Sequence, residues 1–201
     1  MSWRQSLDEL PKSQRQLILG GGLSQRFVKW PLDITHPAMI GALYGLLVGL
    51  SLLLPIGQMS DWELGQWWKT FVVTTLVLMI VTASLGLLSR IIIVFTNRTP
   101  IAPPRHFLYP MPFIGLAWLS LQMTGLLDFW VWGAWFLLII PGPIYIHISW
   151  APRWRLLCKL EDGQDPFAGE SAVGTDGRLE TAEFEEDDEL AEVVADFDDE
   201  E

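Results

Sequence analysis

Long apolar runs constrain the fold of this chain more than any other feature of its sequence. Four runs approach the ~20 predominantly apolar residues that an α-helix needs to cross a bilayer. They cover residues 37–54, 71–92, 111–127 and 129–149. The sequence therefore predicts an all-α integral membrane protein, with four transmembrane helices in a domain that covers residues 37–150.

Prolines interrupt two of these runs. Pro110 and Pro112 restrict how far the third helix can extend towards its N-terminus. The PGP stretch at residues 141–143 lies inside the fourth run. Because its prolines remove backbone donors and free carbonyls upstream, we expect a kink there.

Basic residues lie almost entirely on one side of the predicted membrane. They precede the first run, occupy the connection between the second and third runs, and follow the fourth. They are Arg4, Lys12, Arg15, Arg26, Lys29, Arg90, Arg98, Arg105, Arg153, Arg155, Lys159 and Arg178. The other two connections contain only Lys69. Because basic loops remain in the cytoplasm, both termini are predicted to be cytoplasmic. The membrane is the plasma membrane or an internal one such as the thylakoid.

Charge divides the chain into two physically different parts. Residues 161–201 carry eighteen acidic side chains and one basic side chain, whereas the preceding residues have a net charge of +6. We interpret residues 1–36 as a cytoplasmic segment with an interfacial helix. Residues 151–178 are interpreted as a basic juxtamembrane stretch and a flexible linker, and residues 179–201 as an acidic tail that is disordered on its own.

The acidic tail contains one apolar pattern. Leu190, Val193, Val194 and Phe197 have the spacing of a single face of an amphipathic helix. A basic protein on the cytoplasmic side could bind this face in a groove. The alternative is a tail that only keeps the protein soluble.

Three glycines spaced four residues apart stand out in the first apolar run. Gly41, Gly45 and Gly49 share one helix face, with Ala38 and Ala42 beside them. Such a face lets another helix backbone come close, which favours packing in lipid. The partner is either another helix of the same chain, which we favour because a four-helix bundle needs close contacts, or a homo-oligomer or membrane protein complex.

Arg90 and three histidines are the candidate sites for chemistry within the membrane domain. Arg90 interrupts the second run; it either extends to the lipid headgroups or lines a transport path. His36, His106 and His147 all lie near the predicted cytoplasmic boundary. Histidine ligates metals and haem iron, but no carboxylate or cysteine pattern accompanies these three. We therefore predict no cofactor, and keep a metal, haem or pigment site at the histidines as an alternative.

Motifs for catalysis are not found in this sequence. It contains no HExxH, GxSxG or phosphate-binding loop, and its one cysteine, Cys158, excludes an internal disulfide. The acidic polar part of the chain argues against nucleic-acid binding. We therefore expect a non-enzymatic auxiliary, assembly or scaffolding factor for a larger membrane protein complex. The alternatives are a small transporter or channel and a carrier of haem, metal or pigment.

Overall fold

The computed structural model describes residues 3–126 and 128–167, and the regular elements within those ranges are all helical. They are α1 (Trp3–Glu9), α2 (Lys12–Leu19), α3 (Gly22–Val28), α4 (Pro37–Ser51), α5 (Leu53–Met59), α6 (Leu64–Thr96), α7 (Arg105–Leu108), α8 (Pro110–Met123), α9 (Val131–Ile139), α10 (Pro141–Tyr145), a π-helical turn (Ile146–Trp150) and α11 (Ala151–Glu161). The predicted all-α class is thus confirmed for the described residues.

The central unit of the bundle is the antiparallel pair of α4 and α6. A Cβ atom added at Gly45 would lie 2.7 Å from the Leu78 carbonyl oxygen, and one at Gly49 would lie 2.5 Å from Thr75 Oγ1. A Cβ atom at Gly41 would collide with the backbone carbonyl of Thr82. The glycine face therefore packs against a helix of its own chain, so close that no side chain fits between them.

Two helices in the described residues are long and apolar enough to cross a membrane. They are Leu64–Thr96, which is α6, and Val131–Glu161, which α9, α10, the π-helical turn and α11 form together and which we call the long helix. A third crossing exists if α4 and α5, which are bent by 46° where they meet, count as one span. The long apolar helices are consistent with membrane localisation, and two or three of them are candidate spans by length and composition.

The third predicted span differs most from the structure. Its helix, α8, has 14 residues and is about 21 Å long, well short of the ~30 Å hydrocarbon core. Pro110 lies at its start, separated by one residue from the four-residue helix α7, and Gly125 follows its end with φ +72°.

Contacts along α8 show which part of the bundle it accompanies. A Cβ atom at Gly115 would lie 2.6 Å from the Leu138 backbone nitrogen, and one at Gly133 would lie 3.1 Å from the Trp118 ring. Helices α8 and α9 are therefore antiparallel, and α8 begins beside Pro141. The non-helical segment before α7 lies farther along the same long helix, where the Ile101 amide donates to the Ile148 carbonyl over 3.0 Å.

The fourth predicted span continues far beyond its predicted end at residue 149. The helix extends through the π-helical turn into α11, whose residues Leu156, Leu157 and Leu160 are buried. The partners of this apolar face are the N-terminal helices, which contribute Leu7 and Ile18 to the same cluster. We call α1, α2, α3 and α11 together the terminal cap, and the end of the bundle that carries it the capped end.

The terminal cap adds detail to two segments of the sequence. Residues 3–28 of the segment predicted to be cytoplasmic contain three short helices packed on α11. In the predicted juxtamembrane stretch and linker, residues 151–161 are a regular helix. The apolar residues of the N-terminal helices and those of α11 cover one another. The pattern of neither segment alone predicts this contact.

The glycine contact can be tested by adding a single methyl group. We expect Gly45→Ala to lower the unfolding free energy of the purified monomer in detergent by about 1–3 kcal/mol, because the added Cβ overpacks against α6. The measurement is the thermal unfolding midpoint. Gly65→Ala is the matched control, because no atom lies within 4 Å of its added Cβ. Equal midpoints for wild type and Gly45→Ala would contradict this packing.

Candidate functional site at the capped end of the bundle

Arg153 lies in α11 and joins the N-terminal part of the terminal cap to the long helix. Its side chain is 1% exposed. Nε donates to the Leu17 carbonyl at the end of α2 over 3.1 Å, and Nη1 donates to the Ser149 carbonyl over 3.2 Å and to the Ser149 hydroxyl. Burying a charge in this way is tolerated only when hydrogen bonds replace its lost hydration. The guanidinium therefore depends on α2 staying in place.

The glycine-rich turn between α2 and α3 makes room for this arginine. Gly20 has φ +61°, a conformation that side chains other than glycine rarely adopt. A Cβ atom there would lie 2.5 Å from Arg153 Cζ. Glycine is thus required at this position for both its backbone angle and its lack of a side chain.

A small polar cavity lies next to the glycine-rich turn. The hydroxyl groups of Ser24 and Tyr145 are hydrogen-bonded over 2.9 Å and buried. The cavity also borders Tyr109 and Ser149, and its volume of about 10 Å³ corresponds to a single water molecule. It is too small for a substrate.

Two tryptophans fix the turn that leads into α4. Trp150 Nε1 donates to the Thr35 carbonyl over 2.8 Å, and Trp154 Nε1 donates to the Leu32 carbonyl over 3.0 Å. Trp150 is fully buried. The edge of the His36 ring packs against Trp154, with ring centroids 4.8 Å apart. These indoles hold the cap and the start of α4 together.

A basic groove separates α6 from α11 on the outside of the cap. Three cations line it, Arg90 from α6 and Arg155 and Lys159 from α11, together with Trp154 and the carboxylate of Asp162. Its volume is about 230 Å³. The Arg90 guanidinium lies over the Trp154 ring, 5.2 Å from its centroid.

Arg90 and the PGP stretch, which the transporter alternative placed along one path, lie apart in the structure. Arg90 lies beside Trp154, about 18 Å along the long helix from Gly142. The Tyr44 ring covers Gly142, where it would collide with an added Cβ. Tyr44 also donates to the Leu138 carbonyl over 2.7 Å, so the PGP stretch is packed against α4.

The three histidines do not form a metal site with one another. Within residues 3–126 and 128–167 no three His, Cys, Asp or Glu side chains are close enough to hold an ion. His36 caps α4, and its Nδ1 accepts the Ala38 amide over 3.1 Å. Burial, and then the Arg90 charge, lower the pKa of His36 and so favour the neutral form that can accept this bond. His106 lies exposed in α7, and His147 lies in the π-helical turn.

The remaining candidate residues fall into two groups. Ala38 and Ala42 lie half-buried on α4 beside the glycine face. The proposed partner-binding residues of the tail, Leu190, Val193, Val194 and Phe197, lie outside the described residues.

Sequence reasoning missed most of the residues that organise the capped end. Arg153 was counted only as one of the basic residues flanking the membrane, and Ser24 and Tyr145 were not singled out. One local signal was available, because Ser149 and Arg153 are four residues apart and so share a helix face. The partners from α2 and α3 are more than a hundred residues away along the chain.

Comparison with known proteins adds no family to this description. No protein-family model, curated protein or solved structure matches the chain. What the protein does is therefore inferred below from its own residues and contacts.

The role of Arg153 in the cap can be tested by removing its charge at nearly constant size. We expect Arg153→Met to lower the opening free energy of residues 12–28 by on the order of 2 kcal/mol, because hydrogen bonds to a charged group are lost. Hydrogen exchange by mass spectrometry in detergent would measure this change. Arg26→Met, at an exposed position of α3, is the control and should leave exchange unchanged. Unchanged exchange in Arg153→Met would show that the cap does not depend on the guanidinium.

Proposed function

We propose that this chain is a non-enzymatic integral membrane protein that acts by contact, as an auxiliary, assembly or scaffolding factor for a larger membrane protein complex. The observation that carries the proposal is the short α8. Beside it the non-helical residues 97–104 and the exposed side chains of Ile101, Phe107 and Phe113 leave an apolar surface, which we call the gap, where a helix of another membrane protein can pack.

The depth of α8 follows from contacts already described. Residues 70–89 of α6 carry no charge and match the thickness of the hydrocarbon core. Gly45, in the middle of α4, contacts Leu78 near the centre of that stretch, and its neighbour Tyr44 contacts Gly142. Because α8 begins beside Pro141, it begins near mid-depth and accompanies only the half of the bundle away from the cap.

The chain before α8 consists of the short helix α7 and, before it, irregular backbone. Residues 97–104 run alongside Ile148 without helical structure. Irregular backbone exposed to lipid is unfavourable, because its polar groups find no partners in hydrocarbon. The nearby apolar side chains of Ile101, Phe107 and Phe113 are exposed. A partner helix that packs here would cover both the backbone and these side chains.

A transporter is a weaker interpretation of the same structure. Two hydroxyl groups of α6 bond to the backbone of their own helix: buried Thr82 donates to the Leu78 carbonyl over 2.7 Å, and exposed Ser84 donates to the Ile80 carbonyl over 2.8 Å. Groups bonded in this way do not present a continuous polar path.

We further propose that the chain passes through the membrane four times, with α8 as a partial pass, and that both termini are cytoplasmic. The direction of the chain reverses at each connection, and the basic residues cluster at the capped end, as the positive-inside rule requires. The acidic tail would then extend into the cytoplasm, where it is available to a basic protein.

Orientation can be tested with single cysteines in a Cys158→Ser background. Gln164→Cys follows α11, and Gln66→Cys lies at the opposite end of the bundle; both positions are exposed. We expect a membrane-impermeant maleimide to label Gln66→Cys in intact cells and Gln164→Cys only in inverted vesicles. The reverse pattern would overturn the orientation, and labelling of both from one side would overturn the number of passes.

The gap beside α8 can be tested by site-specific photo-crosslinking in native membranes. A photoreactive residue at Phe107 or Phe113 should give a discrete adduct with a membrane protein, because both side chains border the gap. Ile80, comparably exposed on α6, is the matched control. Protein adducts absent from Phe107 and Phe113, or equally strong from Ile80, would contradict a partner in the gap.

A further inference from the structure

The basic groove between α6 and α11 combines charge with an apolar wall. Arg90, Arg155 and Lys159 face it against the single carboxylate of Asp162, while Val94 supplies apolar surface. The groove is thus positively charged overall and partly apolar. An anion with a hydrocarbon portion would match both parts of this lining.

The basic side chains are held in position by neighbouring groups. Arg90 stacks on Trp154, whose own Nε1 is anchored to the Leu32 carbonyl over 3.0 Å. Arg155 Nη1 donates to the Ile93 carbonyl over 3.4 Å and also to Asn97. Lys159 Nζ donates to the Pro166 carbonyl over 3.0 Å. Cations whose positions are already fixed lose less conformational freedom when they bind an anion.

The level of the groove in the membrane indicates the source of the anion. Arg90 follows directly after residues 70–89, the uncharged stretch of α6 that matches the hydrocarbon core. An arginine at this point lies at the level of the headgroups. Exposed apolar side chains adjoin it on the hydrocarbon side of α6, among them Leu87 and Leu88. A phospholipid with its phosphate in the groove would have its acyl chains along this face of α6.

We propose that this groove binds the phosphate headgroup of an anionic phospholipid from the leaflet at the capped end. Arginine binds phosphate oxygens through paired N–H donors, and lysine contributes a compact positive charge. The Trp154 ring, already oriented, borders the bound headgroup. The lipid would connect α6 to α11 and so stabilise the cap against the bundle.

The test uses the full-length purified protein and two lipids that differ in headgroup charge. Native mass spectrometry in detergent should show retained phosphatidylglycerol and no comparable retention of phosphatidylcholine. Phosphatidylglycerol should also raise the thermal unfolding midpoint. The double variant Arg90→Gln/Lys159→Gln should weaken its binding by at least ~10-fold, as expected when charge-assisted hydrogen bonds are lost. Lys69→Gln, an exposed cation near the opposite end, should leave the affinity unchanged.

A second variant keeps the test decisive if the double variant does not fold. Asp162→Asn removes the one carboxylate that lines the groove, at an exposed position. It should tighten phosphatidylglycerol binding severalfold while leaving phosphatidylcholine unaffected. Unchanged affinity in Asp162→Asn, or equal retention of both lipids by wild type, would overturn the proposal.

Two competing occupants give different results in the same experiment. If inorganic phosphate alone stabilises the protein as much as phosphatidylglycerol does, the groove binds free anions and the lipid assignment is wrong. If phosphatidylglycerol binds only after residues 168–201 are deleted, the acidic tail occupies the groove in the full chain, and the proposal is again overturned. Equal lipid binding with and without the tail supports the lipid site.

Discussion

The close packing of α4 on α6 is the contact on which the rest of the bundle depends. In lipid, helices gain little from the hydrophobic effect, so their association relies on van der Waals contact and on hydrogen bonds. Glycine at three successive turns of α4 lets the two backbones approach without intervening side chains. This approach fixes the level at which Tyr44 meets Gly142, and at which His36 meets Trp154. The long helix is therefore positioned by the α4–α6 pair.

The terminal cap adds a second core to the same long helix. A helix that leaves the bundle with an apolar face requires another surface to cover it, and α1, α2 and α3 supply one. Arg153 makes this arrangement specific, because its buried charge requires acceptors from both α2 and the π-helical turn. Ordered polar groups, the start of α4 and the end of α6 therefore lie together at the capped end.

Two surface features at or near the capped end suit different kinds of binding partner. The gap left by α8 is apolar and borders irregular backbone, which suits a helix from another protein. The basic groove lies where α6 meets α11 and suits an anionic headgroup. The scaffolding role that we propose would use both, because a bound lipid would hold the cap in place while a partner fills the gap.

The sequence by itself determined the helical class, the positions of the apolar runs and the small-residue face of α4, because these follow from local composition and from the helical period. Length alone did not show that α8 would stop early or that α11 would continue the fourth run. The sequence also did not show that Arg153 and Trp150 would be buried, or that Arg90 would line a groove. Burial depends on which distant segment packs against a residue, and Leu17 and Thr35 meet their partners only in the tertiary structure.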